Sequence, residues 1–492
     1  MSETPYQEGR RIGSSTLASE SGEPHLARQL SNRHIQLIAI GGAIGTGLFM
    51  GSGKTISLAG PSVIFVYTII GFFLFFMMRA MGELLLSNLH YKSFSDAAAD
   101  LLGPWAGFFT GWTYWFCWIV TGMADVVAIA GYVAYWKPDI PLWIPALAAV
   151  AVLVGLNLPT VKAFGETEFW FALIKIVAIV ALIIVGLVMV FTKFTSPGGG
   201  TASFSNLWAH GGFFPTGFTG FIAGFQIATF AFVGIELVGT TAAEAKDPLK
   251  TLPRAINAVP IRVGLFYVVT LIVILAVTPW REMTPGQSPF VAMFSLAGLG
   301  IAASVINFVV LTSATSSANS GIYSTSRMVY GLACEGDAPG PFGRLSSRKV
   351  PANALYLSGV FLLSGVVLVA AGESVIAAFT LVTTISALCF IFVWTMILLS
   401  YISYRRKSPE LHAASTYKMP GGVAMCWVVI AFFAFLIWAF TQKADTLQAL
   451  LVTPVWFVVL AVAWSVVRKR PHHLQKEAAF EAELHKPEIS AP

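Results

Sequence analysis

Three ionisable residues lie in stretches of the chain that are otherwise apolar. Asp125 stands in GMADVVAIA, Lys175 in FALIKIVAIV and Glu236 in FAFVGIELVG. A charge in such surroundings is costly unless it is paired, neutralised or held against a polar cavity. Asp125 could attract an ammonium, carry a proton or form half of a structural pair. Lys175 could snorkel to a membrane surface or, desolvated, release its proton reversibly. Glu236 must be paired or protonated. Hydroxyls accompany them, since Ser313, Ser316, Ser317 and Ser320 repeat at i, i+3, i+4 and i+7 on one helix face. Trp118, Gly122 and Asp125, at i, i+4 and i+7, mark a second such face.

The backbone offers chemistry of its own. Gly41, Gly42, Gly45 and Gly47 crowd GGAIGTGLF, while Gly234 and Gly239 flank Glu236. Glycine holds a helix poorly and leaves it easily. In hydrocarbon an unwound segment is tolerated only where its freed N–H and C=O groups line a cavity or meet a polar ligand. For either stretch alone, small residues for close helix packing remain an equal reading.

The elements that must carry these residues follow from composition. Of 492 residues 56% are hydrophobic and only 11% charged, too few charges to clothe a water-soluble fold of this size. Apolar runs predict spans over 35–58, 62–87, 105–133, 142–159, 167–191, 219–243, 257–279, 301–333, 353–371, 374–402, 422–441 and 449–467. With a cytoplasmic N-terminus, only Lys54, Lys137, Lys193, Arg281 and Lys443 fall at the outer side and Lys175 falls within a span. The other basic residues gather at inner helix ends, which places both termini in the cytoplasm. The net charge of +6 therefore reflects topology and not nucleic-acid binding. The first 34 residues lack a signal-peptide pattern and read as a flexible tail, and the stretch from His472 reads as disordered. Cys117, Cys334, Cys389 and Cys426 show no metal or disulfide spacing, and every histidine falls in a tail or loop. No metal or cofactor is implied.

Breaks in the first and sixth spans are the signature of two five-helix repeats of inverted topology with a site between them at the membrane midplane. These two motifs resemble those of the amino acid-polyamine-organocation permeases. More narrowly, NRHIQLIAIGGAIGTGLFMGSG, RAMGELLLSN, GWTYWFCW, FAFVGIELVGTTAAEAKDP, LTSATSSANSG and YKMP resemble the bacterial D-serine/D-alanine/glycine permeases, over roughly residues 30–468. The resemblance implies an all-α membrane protein with twelve transmembrane helices in a LeuT-like five-plus-five inverted repeat, the first and sixth helices broken, plus two extra helices. Its parts would be a cytoplasmic tail (1–34), a first repeat (35–195), a second repeat (196–404), two extra helices (405–468) and a cytoplasmic C-terminal tail (469–492).

The resemblance also implies roles. N–H groups around Gly45, Thr46 and Gly47 would receive a substrate carboxylate, helped by the positive end of the following half-helix. Carbonyls of Ala43, Ile44, Phe230, Ala231 and Val233 would receive the ammonium. Trp118, Gly122 and Asp125 would line the cavity, and Phe230 or Phe232 would close it. Lys175 would stand where sodium-coupled relatives bind sodium, its ammonium near the first-span break and the hydroxyls of the eighth span, with Ser316, Ser317 and Glu236 in the coupling machinery. Glu83, Glu168 and Glu244 fall at cytoplasmic helix ends and read as solvated polar residues.

The function implied is proton-coupled import of small neutral amino acids such as D-alanine, D-serine and glycine, across the bacterial inner membrane by alternating access. The proton gradient supplies the energy, and membrane lipids and substrate are the expected partners. A permease for L-alanine, GABA or aromatic amino acids, or an amino-acid sensor, stays open. An enzyme would need a nucleophile with a base, a metal cluster or paired carboxylates, and a channel would need charged rings or a filter repeat. The sequence shows none of these. Oligomeric state is left open.

Overall fold

The computed structural model describes residues 44–241, 247–372 and 374–484. Among them every regular element is helical, apart from one bridge between Thr195 and Thr201. The chain is extended at Gly45 (φ −126°, ψ −160°), then winds into α1 (Thr46–Phe49) and, after Met50, α2 (Gly51–Ala59). Gly60 turns it at φ 59°, a conformation open to glycine and strained for other residues, and Pro61 leads into α3 (Val63–Ser87). A short α4 (Phe94–Leu102), capped by the Ser93 hydroxyl, lies before α5 (Pro104–Ala134). Next come α6 (Trp143–Asn157), α7 (Val161–Phe191) and α8 (Gly217–Ala228).

The second glycine-bearing segment breaks as well. After α8 a 3-10 turn (Thr229–Phe232) gives way at Val233 (φ −59°, ψ 138°) and at Gly234, whose φ is 97°. Helix resumes as α9 (Leu237–Thr241). Then come α10 (Pro248–Asn257), α11 (Val259–Arg262), a π-helical stretch (Val263–Val269) and α12 (Thr270–Val277). The remainder is α13 (Pro289–Leu296), α14 (Gly300–Cys334), α15 (Ala352–Ala370), α16 (Val375–Lys407), α17 (Pro409–Ala414), α18 (Gly422–Phe440), α19 (Ala444–Val467) and α20 (Pro471–Leu484).

Ten stretches among the described residues are long and apolar enough to cross a membrane. One of these, Gly51–Ser87, contains the Gly60 turn, and α6 is a further apolar helix of 15 residues. The α5 helix is buried along most of its length and packs along α14, α15 and α16, so it forms the axis of the bundle. By contrast α19 buries Thr446, Ala449, Thr453 and Leu460, a narrow stripe, and turns Leu451, Val455, Val458 and Val462 outward, as a lipid-facing helix does.

Two expectations fail. Glu83 and Glu168 are not solvated helix ends; both are fully buried. Glu244 lies outside the described residues, as do Gly41, Gly42, Ala43 and the N-terminal tail. The loop after α16 folds back over α3, so Glu83 accepts from Tyr401 Oη (2.8 Å) and from the Met419 N–H (2.7 Å), with His412 Nδ1 at 2.5 Å. Arg79 reinforces this loop, donating to Asn257 Oδ1 (2.7 Å) and to the Lys418 carbonyl while lying over the Tyr417 ring.

The second failure is the C-terminal tail, which forms α20 where disorder was expected. Its Lys476 pairs with Glu335 at 2.7 Å, and Arg470 donates to the Gly336 carbonyl, which docks the helix on the turn after α14. Burial pushes the Glu335 carboxyl up, but Lys476 and Lys92 outweigh it and hold the group below the usual range.

Removing the Glu83 carboxylate leaves its three partners facing a gap, so Glu83→Ala should destabilise the protein by on the order of 3 kcal/mol and Glu83→Gln by less. Thermal unfolding in detergent measures this. Unchanged melting of Glu83→Ala would show that the folded-back loop does not depend on the carboxylate.

Candidate functional site

The two breaks meet. A Cβ placed on Gly47 would lie 2.5 Å from the Ala231 Cα and 2.9 Å from the Phe230 carbonyl, so α1 and the 3-10 turn after α8 touch backbone to backbone. A Cβ on Gly45 would lie 3.0 Å from Ser317 Oγ, which brings α14 to the same point. Because α1 begins at Thr46, the N–H groups of its first turn lie outside its own intrahelical hydrogen bonds.

Three of the carbonyls at these breaks have definite partners. Ile44 O accepts from Lys175 Nζ at 3.0 Å and from Ser313 Oγ at 3.1 Å. Both lone pairs of that oxygen are thus engaged, and Ile44 is a ligand of the lysine, not a free acceptor for an ammonium as expected. In the sixth span Phe230 O closes the turn with the Val233 N–H (3.1 Å), and Ala231 O accepts from Tyr267 Oη (2.9 Å). Tyr267 sits in the π-helical stretch, a departure from regular helix that often accompanies functional sites.

The charged residues gather around these breaks. Asp125 Oδ1 accepts from Thr46 Oγ1 at 2.6 Å, tying α5 to the start of α1. Glu236 Oε2 accepts from the Gly234 N–H (3.3 Å) and from Trp394 Nε1 (3.4 Å), so this carboxylate braces the sixth-span break. Among the described residues no hydrogen-bond partner meets Asp125 Oδ2, Glu236 Oε1 or Trp118 Nε1, all buried, which leaves each able to meet a further polar group. Lys175 is fully buried, with no snorkelling path taken.

Not every expected neighbour is one. Trp118 packs where a Cβ on Gly321 of α14 would stand and meets Phe390 edge-on, whereas the Gly122 position is filled by Leu362 of α15. Gly122 therefore serves the contact of α5 with α15, apart from Asp125. The two aromatic candidates also separate: Phe232 lies among Tyr67 and Tyr267, while Phe230 meets Phe379 of α16 edge-on. The serine face divides its labour too. Ser313 serves Ile44 O, Ser316 donates to Glu168, Ser317 abuts Gly45, and Ser320 Oγ is buried without a hydrogen-bond partner among the described residues.

An all-helical membrane protein with two facing broken helices and a buried lysine on the break invites comparison with known proteins. Residues 34–476 match the family described as "Amino acid permease". The chain belongs to the amino acid permease family. It is 66% identical to the D-serine/D-alanine/glycine transporter of Escherichia coli (strain K12) over 455 residues, 92% of this chain and 97% of that one. It is 51% identical to the amino-acid permease AapA of Bacillus subtilis (strain 168), over 94% of this chain and 100% of AapA. A probable threonine/serine transporter of the same organism, YbxG, is 42% identical over 90% of this chain and 95% of its own.

In this permease, Asn319, Asn157 and Tyr267 join the site without a mark in the sequence, and Glu168 joins it although its position reads as a solvated helix end. Glu168 Oε1 accepts from Asn319 Nδ2 at 2.6 Å, and Asn157 Nδ2 donates to Asn319 Oδ1 at 2.7 Å. A clue was available: Asn319 extends the polar face of Ser313, Ser316 and Ser320, and Glu168 lies seven residues before Lys175 on the same helix face.

The glycines of the break yield a graded expectation. Gly47→Ala must displace backbone of the sixth span and should abolish transport while the permease still inserts; Gly45→Leu and Gly47→Leu should do the same. Gly45→Ala meets a side chain instead, so Ser317→Ala in the same chain should restore part of its uptake. Equal rescue of Gly47→Ala by Ser317→Ala would show that Gly47 does not touch the sixth span.

Proposed function

We propose that this permease is a proton-coupled symporter that imports small neutral amino acids, with glycine, D-alanine and D-serine as substrates. The observation that carries the substrate reading is 66% identity to the D-serine/D-alanine/glycine transporter across nearly the whole chain. The juxtaposed breaks support a site that reads the head of an amino acid through the backbone, and bulky walls support a small side chain. It works in the bacterial inner membrane with both termini in the cytoplasm. It has twelve membrane helices, counting the two halves of Gly51–Ser87 separately and adding α6, arranged as two inverted repeats of five and two further helices. Basic residues at the inner helix ends support the orientation.

In this reading the substrate carboxylate meets the N–H groups of Gly45, Thr46 and Gly47, where the half-helix dipole favours an anion. The ammonium meets carbonyls of the Phe230–Val233 turn, with Asp125 close by; Ile44 O is committed to Lys175. Phe230 is the better candidate for a gate, because Phe232 is wedged among tyrosines. Lys175 couples the proton. Protonated, it holds Ile44 O and so braces the fifth span against the first; deprotonated, it can no longer present the same set of N–H donors and releases that brace.

Purified permease in proteoliposomes should accumulate labelled glycine and D-alanine under an imposed proton gradient, with arginine and tryptophan competing weakly. Competition by either as strong as by glycine would sink the substrate assignment, and uptake driven by sodium alone would sink the coupling. Lys175→Met and Lys175→Gln should keep some glycine binding yet lose accumulation. Lys175→Arg should fail too, because a guanidinium does not release its proton in this range.

A further inference from the structure

We propose that Glu168 is the buried counter-charge of Lys175, and that the pair forms with Asp125 a three-charge cluster whose state is tied by Glu168 to the packing of α7 on α14 and α6. The proposal rests on the proton-coupled reading for its transport consequence, and on geometry alone for the pairing.

The hydrogen-bond chain around Glu168 favours its ionised form. Asn157 Nδ2 donates to the Leu153 carbonyl at 3.0 Å as well as to Asn319 Oδ1. A carbonyl can only accept, so the Leu153 oxygen sets which way the Asn157 amide faces. Asn157 in turn obliges Asn319 to present its oxygen on that side and its Nδ2 to Glu168. One carboxylate oxygen thus faces an N–H donor, and the other accepts from Ser316 Oγ at 2.8 Å. An ionised carboxylate accepts at both oxygens, and a buried one needs a positive partner.

Lys175 is the one fully buried lysine or arginine among the described residues. It follows Glu168 by two helical turns on the same face of α7; its ammonium shares the Ile44 carbonyl with Ser313, one turn of α14 from the Ser316 that serves Glu168, and Asp125 is bound to Thr46, two residues beyond Ile44. Among the described residues those two carboxylates are the titratable groups nearest it; Tyr132 of α5 faces Asp125, and α14 contributes the hydroxyls of Ser313 and Ser316. With all three ionised, two carboxylates and one ammonium are one positive charge short of neutrality in a site away from water. Taking up one proton removes that excess, so the exchangeable proton belongs to the cluster and not to Lys175 by itself.

Glu168 is then a positioning residue. Its charge helps Lys175 keep its proton and so keep Ile44 O, while its hydrogen bonds report that charge to α14 and α6. Phe164, stacked on Tyr323 at 3.6 Å, fastens the same two helices one turn closer to the cytoplasm.

The test is a double-mutant cycle on full-length permease in detergent, read by thermal melting, with Lys175→Met, Glu168→Gln and both together. A charge pair predicts that each single change lowers the melting temperature and that the double variant recovers about half of the summed loss. Additive losses would overturn the pairing, whatever drives transport. Should either single variant not fold, recovery of the double variant is the expected result in its strongest form, and failure of the double variant overturns it. The second arm is the pH dependence of glycine binding. Glu168→Gln should move its midpoint toward acid by about one unit, because losing the anion makes the proton harder to hold, and Glu168→Asp should bring it back. A Glu168→Gln midpoint equal to wild type would overturn the role of Glu168 in proton binding. If wild-type uptake ignored a proton gradient, the coupling reading would fall while the melting cycle still decided the pair.

Discussion

The Ile44 carbonyl, with Lys175 and Ser313 on its two lone pairs, is the contact on which the site depends. A backbone that leaves the helix inside hydrocarbon must replace every hydrogen bond that it gives up. At the first-span break the replacement comes from a cation on α7 and a hydroxyl on α14. The break is therefore stable only while those helices stay where they are. In the proposed coupling, binding chemistry and helix packing become one equilibrium at this oxygen, which is what coupling of two events through a conformational change requires.

The sixth-span break solves the same problem differently. Its carbonyls are met by Tyr267 from the π-helical stretch and by the chain's own turn at Val233, and Glu236 caps the Gly234 N–H with help from Trp394. Aromatic rings from α3 and the π-helical stretch close around Phe232. This side is braced by neutral groups and one carboxylate, whereas the other is braced by a lysine whose charge can change. In the proposed coupling, this asymmetry makes α7 the responsive half of the site and the sixth span the fixed half.

Away from the breaks, buried acids recur. Glu83 holds the loop after α16 and Glu168 holds α14, each with both oxygens engaged. Such groups are costly to bury and are retained only where several donors converge. Both connect helices that belong to different parts of the chain, and a rearrangement that separates those helices must break their hydrogen bonds.

Much was legible in the sequence because it depends on local quantities. Length and apolarity of runs report crossing of hydrocarbon, and Gly45, Gly47 and Gly234 report where a helix gives way. The family could be read from the text around these glycines. Periodicity put Ser313, Ser316, Ser317 and Ser320 on one face, but it measures angle along one helix and says nothing of what stands opposite. Only the tertiary structure decided that Ser316 serves Glu168, that Leu362 of α15 fills the place beside Gly122, and that Gly47 spares a Cβ for contact with Ala231. Glu83 and Glu168 were misread for the same reason. Position near a helix end suggests water, yet exposure depends on whether a distant loop or helix folds back to supply donors, and that is settled by packing between segments far apart in the chain.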